Sequence, residues 1–185
     1  MVSGPRSFKV SHPAIFFDRD GVLAKLVFRD GKPHSARTVE ELEWMPEAKQ
    51  TVQNLAVKGF YMFVVTNQPD IARKKMAPEV LEKMNQLLLS YFGGEAMLRG
   101  IYVCPHDSGD HCFCRKPKPG LLRQAAADWN LDLSQSFIIG DRAADMEAGR
   151  QAGCRTILLS YAHNADVGAD FKIKQIENCL PIILK

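Results

Sequence analysis

Residues 14–22 read Ala-Ile-Phe-Phe-Asp-Arg-Asp-Gly-Val, an apolar run that breaks abruptly into two carboxylates, Asp18 and Asp20, and a glycine. Such a run, bounded by a turn signal, reads as a strand. Delivering two acids to its carboxyl end is costly, because unpaired carboxylates beside a hydrophobic run repel each other and lose solvation. A cation or a proton has to accompany them. Taken alone, the pair also fits a solvated turn that merely closes a strand.

Working outward, similar short apolar runs recur at Tyr61 to Val65, Gly100 to Val103, Phe137 to Ile139 and Thr156 to Leu159. Between them, Pro46 to Lys58, Pro78 to Tyr91, Gly120 to Trp129 and Ala143 to Ala152 carry apolar residues at helical spacing, with Pro or Gly at the starts and Gly59 and Gly153 at two stops. This alternation predicts an α/β fold with a parallel sheet of five strands and at least four helices. A chain of 185 residues is enough for one core, so a single domain over 1–185 is expected, with its core at about 14–160. Two segments without a clear period, 24–44 and 104–119, follow the first and third strands. Both should overhang the carboxyl edge of the sheet, where open parallel sheets bind ligands.

A hydrophobic content of 46% and a formal charge of +3 exclude a disordered chain and a dedicated nucleic-acid stripe. No apolar run is long enough to span a bilayer, and the opening MVSGPRSFKV lacks the apolar core of a secretory signal. A cytoplasmic monomer acting on a small phosphorylated molecule, with neither nucleic acid nor membrane as partner, is the expectation.

Other strand ends supply groups complementary to the two acids. Thr66-Asn67-Gln68 offers a hydroxyl and an amide, those of Thr66 and Asn67, to phosphate oxygens, and Arg115-Lys116 offers positive charge close to a helix start. The fourth strand ends in Gly140-Asp141, followed by Arg142 and, one turn on, Asp145. A carboxylate can attack phosphorus to give an acyl phosphate, a second acid can move the protons, and Mg2+ can neutralise the cluster.

Of the five cysteines, Cys154 and Cys179 read as ordinary buried thiols. Cys104-Pro105-His106 and Cys112-Phe113-Cys114 bring four soft or borderline ligands within eleven residues, a set that can enclose a tetrahedral, structural Zn2+. His111 is a competing ligand but is less well placed beside Cys112. The loop ends just before Arg115-Lys116, so the metal could set where the lysine points.

Asp18-Arg19-Asp20-Gly21-Val22, Thr66-Asn67-Gln68, Lys116 and Gly140-Asp141 with Asp145 resemble, in order and spacing, the four motifs of the haloacid dehalogenase superfamily. The resemblance implies a doubly wound five-stranded sheet with its first strand central and, on this chain, no large cap domain. It implies Asp18 as nucleophile and Asp20 as general acid/base. Mg2+ would be held by Asp18, the backbone carbonyl of Asp20 and Asp141, with Asp145 the weaker candidate and as readily a capping residue.

The Cys-Pro-His and Cys-x-Cys-Arg-Lys-Pro strings are further similar to two zinc-loop families, the D-glycero-D-manno-heptose bisphosphate phosphatases and the histidinol-phosphate phosphatases. Lys118-Pro119-Gly120 and Ile71-Ala72-Arg73 point to the former, the preferred expectation, and Arg142 points to the latter. Pro69-Asp70, Lys74 and the stretch Val27 to Trp44 depart from the heptose pattern, and Asp70 adds negative charge near a site that must accept an anion. His34, Arg37 and Arg73 are candidates for contacting the rest of the substrate. A receiver-like phosphate-binding module, or a zinc-containing interaction module, would share parts of this set; an acid at position 20 is what a phosphatase needs and a receiver does not.

Overall fold

The computed structural model describes residues 11–185. The opening ten residues, in which no secretory signal was read, lie outside the described residues.

Six parallel strands form one sheet: β1 (His12–Phe17), β4 (Tyr61–Asn67), β5 (Gly100–Cys104), β6 (Leu131–Gly140), β7 (Arg155–Leu159) and β8 (Phe171–Ile173). The order β5-β4-β1-β6-β7-β8 leaves β1 in the middle, and the chain winds outward first on one side of it and then on the other. That reversal opens a crevice at the carboxyl ends of β1, β4 and β6, where a ligand can be reached by loops from both halves. A separate hairpin, β2 (Val27–Arg29) with β3 (Lys32–His34), rises from the first aperiodic segment.

The five expected strands are present, and the sheet gains a sixth. The edge strand β8 has only three residues and a lysine between its two apolar positions, too little alternation to register as a strand. β6 begins earlier than its apolar run because Leu131–Ser136 is mostly polar; the register shifts between Pro13 and Ile15, where Ser136 Oγ accepts the Ala14 N–H at 2.9 Å.

Both faces of the sheet are covered, which is why its strands read as continuous apolar runs. Ile15 and Phe17 share one core with Met62, Val64 and Ile139, packed by α1 (Ala48–Ala56) and α2 (Pro78–Phe92). Ala14 and Phe16 point the other way with Phe63 and Ile138, packed by α3 (Gly120–Trp129) and α4 (Ala143–Ala152). α2 shows how the sequence sets such a helix: Pro78 starts it, Leu81, Met84, Leu88 and Phe92 bury one stripe, and Gly93 ends it at φ 101°. A short helix, α5 (Leu180–Ile183), closes the C-terminus. Among the described residues no helix is long and apolar enough to cross a membrane.

Candidate active site

Four strand ends and two loops converge on one cavity of about 170 Å³, lined among others by Asp18, Asp20, His34, Thr66, Asn67, Gln68, Asp70, Arg73, Arg115, Lys116, Arg142 and Asp145. Asp18 sits at the tip of β1, where its backbone N–H bonds the Ile139 carbonyl at 2.9 Å and so continues the sheet into the turn. Gly21 follows at φ 87°, and a Cβ there would run into the Asp141 carboxylate; both the conformation and the close approach require glycine.

Asp18, Asp141 and Asp145 are buried and offer carboxylate oxygens within 4.8 Å of one another. The buried Lys116 ammonium lies 3.0 Å from Asp18 Oδ1 and 2.5 Å from Asp145 Oδ1, and donates to the Val65 carbonyl at 2.7 Å. Burial works against that ammonium, but Asp145 and Asp18 outweigh it and its pKa moves up. Asp145 Oδ2 also accepts the Arg142 N–H at 3.0 Å and caps α4, the orienting role weighed for it from the sequence.

One lysine does not balance three acids. Both oxygens of Asp141 are buried without a hydrogen-bond partner, and its nearest cation is the half-exposed Arg142 at 3.8 Å. Burial, with Asp18 and Asp145 nearby, pushes Asp141 up to about 8, and burial is also the main cause that raises Asp18 to about 6. Orphaned carboxylate oxygens in an acidic cluster are the donor set a hard divalent cation takes, so the residues present fit one.

Asp20 is arranged differently. Arg19, fully buried, forks onto it through Nε at 3.1 Å and a terminal nitrogen at 3.2 Å, and Gln68 Nε2 donates to it at 2.8 Å and to Thr66 Oγ1 at 2.8 Å. Asn67 was expected to face a phosphate, but its amide is spent on Lys116: Nδ2 donates to the Lys116 carbonyl at 3.0 Å and Oδ1 accepts the Lys116 N–H at 3.1 Å. Asn67 therefore positions the lysine's backbone.

Cys104, His106, Cys112 and Cys114 come together, with ligand atoms within 4.8 Å, Cys104 Sγ 3.6 Å from Cys112 Sγ and Cys114 Sγ 3.3 Å from His106 Nδ1. Three sulfurs and one imidazole nitrogen around one point fit tetrahedral zinc chemistry. His111 stands outside the cluster. Cys154 and Cys179 are buried, and burial pushes both thiols up to about 12. The loop is tied to the cavity, with Arg115 donating to the His106 carbonyl at 3.1 Å and Arg73 gripping Asp107 through two bonds of 2.8 and 2.6 Å. Of the three candidates for outer substrate contacts, His34 and Arg73 line the cavity, while Arg37 pairs with Asp70 at 2.6 Å.

Sequence reasoning missed the braces: Gln68 and Arg19 on Asp20, Asn164 donating to the Asp141 carbonyl at 2.6 Å, and Tyr161 donating to the Gly21 carbonyl at 2.8 Å. Gln68 stood beside Thr66-Asn67 and could have been found there. Nothing local marks Asn164, twenty-three positions beyond Asp141.

The doubly wound fold, the carboxylates at its reversal and the buried lysine define a phosphate-handling α/β hydrolase. A family model described as HAD-hydrolase-like matches residues 113–169. D-glycero-beta-D-manno-heptose-1,7-bisphosphate 7-phosphatase of Pseudomonas aeruginosa is 36% identical over 153 residues, 81% of this chain and 82% of its own. The protein of the same name from Haemophilus ducreyi is 34% identical, over 92% of this chain and 97% of its own. Among solved structures, D,D-heptose 1,7-bisphosphate phosphatase from B. bronchiseptica, complexed with magnesium and phosphate, superposes with a TM-score of 0.79 at 25% identity, covering 93% of this chain and 98% of that one. The chain belongs to the haloacid dehalogenase superfamily and is one of its phosphatases.

The raised acids carry a pH signature. A carboxyl whose folded pKa lies above its unfolded value binds its proton more tightly when folded, so its stabilising effect is present below about 4 and is lost as the pH rises through the folded value. Magnesium-free protein should therefore lose stability between pH 4 and about 8, the window set by the ordinary aspartate value of 3.8 and the raised Asp141. Magnesium added at pH 8 should restore it. Thermal melts across that range check both; a melting temperature that rises from pH 6 to 8 without magnesium would contradict the assignment.

Proposed function

We propose that the phosphatase hydrolyses D-glycero-D-manno-heptose 1,7-bisphosphate at its 7-phosphate, through an aspartyl phosphate on Asp18. The observation that carries the mechanism is the asymmetry of that carboxylate. Oδ1 receives the Lys116 ammonium at 3.0 Å and the Arg19 N–H at 2.8 Å, while Oδ2 accepts no hydrogen bond among the described residues and belongs to a side chain that lines the cavity. One oxygen is held and the other keeps its lone pairs for attack.

In the first step Asp18 Oδ2 bonds to phosphorus as the bond to the leaving alkoxide breaks, and Asp20 gives that oxygen a proton. In the second, water attacks phosphorus, Asp20 takes its proton, and inorganic phosphate leaves a free Asp18. Arg19 and Gln68 fix the orientation of Asp20, and the latter does so while steadying Thr66. Lys116, Arg115 and the Thr66 hydroxyl bind the transferring oxygens, since this chemistry rests on positioning and charge. Asn67 serves by holding Lys116. Mg2+ would be held by Asp18, the Asp20 carbonyl and Asp141; when bound it neutralises the clustered charge and draws electron density from the phosphoryl oxygens. Zn2+ would be held by Cys104, His106, Cys112 and Cys114, closed to substrate and structural. The substrate is proposed from the relatives' names, which fit a phosphate site flanked by polar loops.

Asp18→Asn should lower kcat by about a thousandfold or more with the fold intact; turnover of p-nitrophenyl phosphate at the wild-type rate would rule out covalent catalysis there. Across heptose bisphosphate, histidinol phosphate and fructose bisphosphate, kcat/KM should favour the first by at least about tenfold, the scale of one lost contact. A preference for histidinol phosphate would replace the substrate and leave the chemistry standing. Cys112→Ser should lose bound zinc and activity together, because Arg115 and Arg73 hang from the same loop; full activity in a zinc-free variant would detach the loop from catalysis.

A further inference from the structure

Asp70 lines the cavity wall, and the proposed reaction gives it no role. It stands two residues beyond Gln68, only 8% exposed, and what remains open belongs to a side chain lining the same cavity as Asp18 and Thr66. The two oxygens of its carboxylate are unlike. Oδ2 accepts from Arg37 Nε at 2.6 Å, a bond that reaches across from the segment after the hairpin. Oδ1 has only the Arg73 guanidinium at 3.8 Å, too far for a hydrogen bond, because Arg73 is turned onto Asp107.

An ionised carboxylate that is nearly buried normally has its acceptor sites filled. Oδ1 accepts no hydrogen bond among the described residues, yet it is not sealed from solvent as the Asp141 oxygens are. Arg37 and Arg73 offset its charge and hold the side chain in place. They leave one fixed, charged acceptor beside the position of the reacting ester. A second phosphate would be repelled there, and an alkyl chain would leave the acceptor unmet; a hydroxyl satisfies it.

We infer that Asp70 is a specificity-determining residue whose Oδ1 accepts a hydrogen bond from a hydroxyl of the substrate's carbon chain. The site thereby selects phosphate esters of polyhydroxylated chains, with any second phosphate directed away from this wall. The inference rests on the phosphatase reading above and narrows its substrate class. It also gives the Pro69-Asp70 departure a function: the acid that looked unfavourable for an anion site is neutralised by two arginines and turned toward the uncharged part of the substrate.

The test compares kcat/KM for a hydroxylated substrate, heptose bisphosphate or whichever sugar phosphate is turned over best, with that for p-nitrophenyl phosphate, which has no hydroxyl to offer. In Asp70→Asn the amide oxygen stays toward the Arg37 donor and the NH2 takes the place of Oδ1, so the charged acceptor is lost with the shape kept; the ratio of the two should fall by about tenfold or more, chiefly through KM on the sugar phosphate. Asp70→Ser provides a second variant in case the amide disturbs Arg37. A role confined to holding Arg37 and the hairpin would lower both substrates together, so a ratio unchanged or raised in both variants overturns the inference while leaving the phosphatase reading intact. Failure of the wild type to hydrolyse any phosphate ester would remove both.

Discussion

The crowding of buried carboxylates around a single ammonium is the constraint from which the rest of this structure follows. Asp18 and Asp145 both pair with Lys116, and Asp141 has no comparable partner. Removing one member of such a buried pair leaves an uncompensated charge, far costlier than losing a surface bridge. The fold therefore invests heavily in the lysine's position. Its head group bonds the end of β4, its backbone is clamped by both polar atoms of Asn67, and the segment bearing it runs directly out of the cysteine and histidine cluster. Strand β4 supplies both the Val65 carbonyl and the Asn67 amide, so a register error of one residue would detach the ammonium and the clamp together.

Around this centre the loops are joined by ions as well as by an apolar cluster in which Ala36 and Val27 pack with Met76 and Ile71. Arg73 bonds Asp107 next to a cluster ligand, Asp70 bonds Arg37, and Arg29 pairs with Glu41, whose carboxylate also accepts the Arg37 N–H at 2.8 Å. The sequence links 27–41, 68–76 and 104–116 into one rim. Each pair alone would contribute little at a wet surface. As a chain they fix the geometry of the cavity, because each side chain is oriented by a partner that is itself held.

The legible part of this molecule is the part governed by short-range physics. Apolar runs ending in acids, helical spacing between them, and proline and glycine punctuation specified five of the six strands and four helices, since period and turn chemistry are local properties. That Asp18, Asp20 and Asp141 gather at one site was legible because a charge at the end of a buried strand is anomalous without a function, and Lys116 was legible as positive charge just before a helix start. The cysteine and histidine loop was legible because its four soft side chains fall within eleven residues. The edge strand β8 was not, since three residues give no period. The task of Asn67 was not either: its partners lie forty-nine positions away, and an amide after a strand looks the same whether it faces a phosphate or a backbone. Asp70 looked like a charge conflict for the same reason, because Arg37 reaches it from thirty-three positions earlier.

These two kinds of information divide along the same line as chemistry and specificity. The groups proposed to react stand at strand ends, where the sheet holds them to a fixed geometry and where a small displacement is costly for catalysis. The rim is built from loops whose positions depend on partner charges, so it can change composition without moving Asp18 or Lys116. A charge introduced into the rim has to be matched from another loop, as Asp70 is by Arg37 and Arg73, or it would oppose the incoming phosphate. Substitutions there are therefore expected to come in compensating pairs across segments. The departures at Pro69-Asp70 and in the hairpin region belong together for that reason: Arg37 lies in one, Asp70 in the other, and neither charge is reasonable in this cavity without its partner.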